Sequence, residues 1–140
     1  MSNSSSDSTQ VLTQGSNQGS NPVITHIASL VDFRQLIIQN RGVFIVKLGA
    51  EWCGPCKRIE PLVASCMRQM PDAVQCAVID VDESFEVYAF LKNKRVVNGI
   101  PAILAYYQGN DNYIPDDVVV GSDEKQVVAL FARAARRASA

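Results

Sequence analysis

Apolar and polar positions follow one another along this chain with a period that changes from segment to segment, and each change predicts an element. Val23 to Ile27 brings β-branched residues in quick succession and reads as a short strand. Ser29 and, three residues on, Asp32 resemble a capping box. Leu30, Phe33, Leu36 and Ile37 then recur at helical steps, so a helix is expected up to Arg41-Gly42. Val43 to Leu48 is apolar except for Lys47, the pattern of a strand buried on both faces. After Cys53 the period is helical again: Ile59, Leu62, Val63, Cys66, Met67 and Met70 form one stripe, with Pro61 inside it expected to kink the helix. Val74 to Val81 predicts a strand, and Ser84 to Lys92 a shorter helix. Ala102 to Tyr107 and Val118 to Val120 predict two further strands, separated by a turn-rich segment at 108–112. A last helix is expected from about Ser122, with Ser122 as its N-cap, acids in the first turn and Arg133, Arg136 and Arg137 toward its end.

The order β-α-β-α-β-α-β-β-α has no internal repeat. It predicts an α/β fold: a central mixed sheet of about five strands, flanked by four helices and closed by an antiparallel hairpin. The domain is expected over residues 23–140. Residues 1–22 are rich in Ser, Asn and Gln, bury almost nothing, and are expected to form a disordered tail.

Composition narrows the function classes. Of 140 residues, 47% are hydrophobic and 19% charged, which suits one domain with a core. Thirteen Lys and Arg against 14 Asp and Glu leave a net charge of −1, with no cationic cluster to neutralise phosphates, so no nucleic-acid partner is expected. No apolar run approaches the roughly 20 residues that span a bilayer, so no membrane association is expected. Residues 1–22 contain no Lys or Arg and only one apolar pair after Met1, Val11-Leu12, which points to the cytoplasm. Four cysteines in such a chain suggest catalysis or metal binding before a structural disulfide framework.

The chemistry concentrates in Trp52-Cys53-Gly54-Pro55-Cys56-Lys57. Cys53 follows a strand and opens a helix, where free amides and the helix dipole favour thiolate over thiol. Thiolate is the attacking species in disulfide exchange, and Cys56 lies one turn deeper, within reach to resolve a mixed disulfide. Pro55 is tolerated in a first turn and stiffens the pair. A structural zinc site needs four ligands, and the remaining candidates, Cys66, Cys76 and His26, do not form a second ligand pair; no metal and no cofactor is expected. Cys66 and Cys76 fall on apolar patterns and read as inert buried thiols. The redox reading requires that the two sulfurs be reachable from solvent and free of metal.

The hexapeptide, preceded by Ala50-Glu51, resembles the active site of the thioredoxin family. Three further features match in order: Pro61 in the second helix, Gly99-Ile100-Pro101, and Gly121 before the last helix. The resemblance spans residues 23–140 and implies a thioredoxin fold. It implies that Cys53 is the nucleophile and Cys56 the resolving thiol, with Gly54, Pro55 and Lys57 modulating them. It further implies a cis Ile100–Pro101 bond, and a shallow groove formed by Trp52, Gly99, Ile100, Pro101 and Gly121 that accepts an extended segment of a disulfide-containing protein substrate. A thioredoxin-reductase-like electron donor and a monomeric state belong to the same expectation.

The chain departs from that family at two positions. Where thioredoxins typically carry a buried aspartate, six residues before the first cysteine, this chain has Lys47. A cation there lowers nearby thiol pKa values where a carboxylate would raise them, so one expectation is that Cys56 ionises more readily and the disulfide is more oxidising; the other is that Lys47 turns outward or pairs with an acid and leaves the chemistry unchanged. Asp80 on the neighbouring strand is the expected ion-pair partner of Lys47 and a substitute proton shuttle. Gly49 stands where many thioredoxins have an aromatic residue. The function that follows is reduction of protein disulfides. The alternatives are a disulfide oxidase or isomerase, and a redox-sensitive binding module that uses the same groove.

Overall fold

A computed structural model describes residues 21–140, together with the backbone of residues 11–16. Ten elements follow in order: β1 (Val11–Ser16), β2 (Pro22–Ile27), α1 (Leu30–Ile38), β3 (Val43–Gly49), α2 (Gly54–Arg68), β4 (Val74–Asp80), α3 (Phe85–Asn93), β5 (Ala102–Tyr107), β6 (Asp117–Val120) and α4 (Glu124–Ser139). The strands form one sheet in the order β1-β2-β4-β3-β5-β6. Strands β2, β4 and β3 run parallel, while β5, β6 and β1 pair antiparallel with their neighbours. The sheet is therefore mixed and flanked by four helices, as the alternation of periods predicts.

Two cores cover the two faces of the sheet. Phe33 and Ile37 of α1 and Val87 and Leu91 of α3 pack with Phe44, Val46, Leu48, Leu104 and Tyr106. Ile59, Val63 and Met67 of α2 and Leu130, Phe131 and Ala134 of α4 pack with Val43, Ile45, Cys76, Ile103 and Ala105 on the other. Every residue of β3 is buried, which explains its near-continuous apolar run. By strand alternation, Lys47 shares the α2/α4 face with Val43 and Ile45, and it is only 3% exposed.

Two sequence expectations need correction. The sheet has six strands, because Val11–Ser16, placed by sequence in a disordered tail, forms β1 against β2. Main-chain pairing to an open strand edge supplies hydrogen bonds that need no apolar signature. Asn21 and Pro22, also assigned to the tail, are placed, Pro22 as the first residue of β2, while residues 1–10 and 17–20 lie outside the described residues. The N-cap of α4 is Asp123, whose Oδ1 accepts from the amides of Lys125 and Gln126, and not Ser122. Ser84 precedes α3 without capping it; its hydroxyl is turned to accept from the Ile27 amide at 3.2 Å.

Candidate active site

Strand β3 ends at Gly49, and Ala50 to Trp52 carry the chain to the head of α2. Cys53 is the N-cap residue, extended at φ −94° and ψ 107°, and its Sγ accepts from the Cys56 amide at 3.2 Å. A sulfur in the capping position meets unpaired amides and the positive end of the helix dipole, the environment that stabilises a thiolate. Cys53 and Cys56 are joined as a disulfide with Cα atoms 5.3 Å apart. Pro55 lies in the first turn, where no helical amide is missed. Pro61 interrupts the α2 ladder opposite the Lys57 carbonyl.

The two sulfurs are not equally open. Cys53 is 6% exposed and Cys56 1%. The expectation that both be reachable from solvent is not met: both residues are buried, Cys56 more completely than Cys53. Disulfide exchange needs only one sulfur of a pair to meet a substrate, and the second can act from inside the fold. Cys66 and Cys76 are free and lie elsewhere on α2 and β4, and among the described residues no group of three or more His, Cys, Asp or Glu is placed to hold a metal ion.

The segment facing the dithiol comes from the far side of the sheet end. The Ile100–Pro101 bond is cis, and the Ile100 carbonyl lies 3.9 Å from Cys53 Sγ. The Pro101 carbonyl accepts from Gly121 N at 2.8 Å, which brings the loop before β5 and the loop after β6 together beside the disulfide. Gly121 has φ +113°, a region that side chains disfavour, and a Cβ there would meet nothing within 4 Å. Gly99 is equally open. Trp52 is 69% exposed, and its indole Nε1 donates to Asp82 Oδ2 at 2.9 Å. Asp82 was not singled out from the sequence. It sits in the turn after β4, 30 residues from Trp52, so local spacing carries no trace of the contact.

Behind the disulfide lies a cavity of about 280 Å³ lined by Lys47, Gly49, Glu51, Cys56, Glu60, Asp80 and Glu83, with Thr25 and apolar strand residues completing its wall. A Cβ placed on Gly49 would stand 3.5 Å from Lys47 Nζ and 3.6 Å from Cys56 Sγ, so the ammonium and the sulfur flank the same empty point. Burial pushes the Lys47 amine below its ordinary value; the charge of Glu60 opposes that shift and the charge of Lys57 adds to it. The expected Lys47–Asp80 ion pair is absent among the described residues. Asp80 is engaged instead by its own turn, its Oδ1 accepting from Asp82 N at 2.7 Å. At the surface, Lys57 Nζ pairs with Glu51 at 3.2 Å and approaches Glu60 at 3.9 Å. The hydrogen bond and charge of Glu51 raise the Lys57 amine, which keeps it cationic.

Comparison with known proteins agrees with this geometry. The thioredoxin family profile matches residues 24–133. A thioredoxin of Pseudomonas aeruginosa is 30% identical over 108 residues, covering 76% of this chain and 93% of the relative. Thioredoxin 1 of Plasmodium falciparum is 34% identical, with 76% and 95% covered. Among solved structures, the oxidised mitochondrial thioredoxin 3 of Saccharomyces cerevisiae superposes with a TM-score of 0.63 at 26% identity, over 78% of this chain and 93% of that one. The chain belongs to the thioredoxin family and is a thiol–disulfide oxidoreductase.

Proposed function

We propose that this protein reduces disulfides in other proteins in two steps divided between Cys53 and Cys56. The Cys53 thiolate attacks a substrate disulfide, forming a mixed disulfide and releasing one substrate sulfur as thiolate. Cys56, once ionised, attacks Cys53, closes the internal disulfide and releases the second sulfur. The substrate gains two electrons and two protons, and the dithiol loses them. The carrying observation is the position of Cys53 Sγ, at the N-cap of α2 and directly under the Ile100 carbonyl.

Trp52, Gly99, Ile100, Pro101 and Gly121 form the substrate surface in this reading. The two open glycines leave room for a strand-like segment, and exposed Trp52 supplies apolar area beside the nucleophile. Gly54 and Pro55 shape the first turn, and Lys57 adds positive charge near it. Lys47 and Asp80 modulate Cys56 from the cavity, the cation favouring its thiolate. A more stable thiolate favours the reduced dithiol and makes the disulfide more oxidising.

A thioredoxin-reductase-like electron donor recharges the dithiol, and the protein acts as a monomer. Its free Cys66 and Cys76 fit a reducing compartment, which supports the cytosol; one relative named above is mitochondrial, so fractionation of cells is the relevant check. The decisive assay is insulin reduction with dithiothreitol. Wild type should accelerate precipitation and Cys53→Ser should not. An inactive wild type would shift the assignment to a binding module. Cys56→Ser should accumulate mixed disulfides with its substrates on Cys53.

A further inference from the structure

The cavity behind Cys56 holds one cation among several acids, and the acids are not equivalent. Glu51 precedes the active site and pairs outward with Lys57. Asp80 is turned onto amides at the end of β4. Glu83 lies beyond that turn. Glu60 differs from these three: it stands four residues after Cys56 on α2, and side chains so spaced on a helix are neighbours on one face. It lines the same cavity as Lys47 and Cys56, and its carboxylate is also 3.9 Å from Lys57 Nζ. Glu51, Lys57 and Glu60 thus form a surface row of alternating charge, and Glu60 also lines the cavity that holds Lys47 and the resolving sulfur.

We propose that Glu60 is a positioning residue for the resolving step, holding Lys47 in the cavity as an ammonium so that the cation sets the ionisation of Cys56. A carboxylate on the strand, the family's usual arrangement, is thus replaced by a cation on the strand and a carboxylate on the helix. The reason is electrostatic. Lys47 is almost fully buried, and a buried amine tends to lose its proton. Glu60 supplies the nearby negative charge that counters this loss, and its own side chain is 53% exposed, so its hydration costs the core nothing. With no side chain at Gly49, Lys47 Nζ and Cys56 Sγ both border the space that a Cβ would fill. In the step itself, the Cys56 thiol gives its proton to water in the cavity. Its thiolate then bonds to Cys53 sulfur, the Cys53–substrate bond breaks, and the substrate leaves as a thiolate that takes a proton from solvent.

This inference rests on the reductase reading, and the test separates the two. Cysteine Cβ and lysine Cε resonances of the reduced full-length protein are followed against pH for wild type, Lys47→Met, Glu60→Gln, Glu60→Asp, Asp80→Asn and Glu83→Gln. Insulin turnover is measured on the same samples. In Lys47→Met the Cys56 midpoint should rise by about one pH unit, and mixed-disulfide resolution at neutral pH should slow about tenfold. Glu60→Gln should lower the Lys47 midpoint and raise that of Cys56, Glu60→Asp should restore both, and Asp80→Asn and Glu83→Gln should move Cys56 less than Glu60→Gln does. The sign is diagnostic. An anion acting directly on the thiol would, when removed, lower the Cys56 midpoint, and that result, or unmoved Lys47 and Cys56 curves in Glu60→Gln, overturns the proposal while turnover persists. A wild type without turnover would instead remove the reductase reading itself.

Discussion

At Gly42 a methyl group would stand 2.2 Å from the Ala73 carbonyl oxygen, inside any permitted contact, whereas at Gly49 it would meet its nearest neighbours at 3.5 Å. Gly42→Ala should therefore cost about 1–3 kcal/mol by overpacking, and Gly49→Ala should gain about 0.5 kcal/mol by restricting the unfolded chain. Urea unfolding of the oxidised proteins measures both. Lys47 gives a pH-dependent case. Burial lowers its amine below the ordinary 10.5, so the unfolded chain holds that proton more tightly than the folded one. The resulting penalty is present in full below the folded value and is relieved as pH rises toward the unfolded one. Lys47→Met should melt above wild type at pH 7, with the gap narrowing toward pH 10. The buried Cys76 thiol is pushed up to about 12 by desolvation, so at pH 8 only about one molecule in 10⁴ carries its thiolate. Iodoacetamide on the reduced protein should label Cys53 and leave Cys76 untouched until the chain unfolds, as peptide mass spectrometry would reveal. At this scale the reactive pair was legible because a helix start and two thiols lie within one short segment. Asp82 and Glu60 were not, because their importance depends on which side chain arrives from another element.

The helices illustrate what local signals can and cannot decide. Ser29 caps α1 as its spacing suggests, its hydroxyl accepting from Asp32 N at 3.1 Å. For α4 two capping residues stand side by side, Ser122 and Asp123, and propensity alone ranks them equally. Asp123 prevails, bonding two amides in the first turn. Asp123→Ala should accordingly cost about 1 kcal/mol, while Ser122→Ala should stay within about 0.5 kcal/mol of wild type. Thermal unfolding of the two variants separates them, and equal losses would reject the assignment. The same helix is tied to β6 by a forked contact, Arg133 Nε and one terminal nitrogen reaching the two Asp117 oxygens at 2.7 and 3.1 Å. Arg133 marked a cationic helix end in the sequence, but its partner strand, four residues long, carried too little pattern to predict the pairing.

Across the whole molecule, burial falls from the middle of the sheet to its edges. Strand β3 is enclosed by β4 and β5 beside it and by helices on both faces, and the dithiol follows directly from its carboxyl end, where open α/β sheets place their sites. A helix head that follows the most enclosed strand stays fixed while edges fray. The period of the apolar residues revealed this centre. The edge at β1 escaped it because main-chain pairing to β2 needs no periodic apolar signature. Hydrogen exchange should follow the same gradient: amides of Val43–Gly49 and Val74–Asp80 should open only with global unfolding, and those of Val11–Ser16 far sooner. Deleting residues 1–20 should then leave insulin turnover and the protection of β3 unchanged, while the bared β2 edge increases self-association, read by light scattering. If that deletion instead lowered protection at β3, the N-terminal strand would be part of the cooperative core, and the enclosure that keeps Cys53 in place would begin at the edge of the sheet.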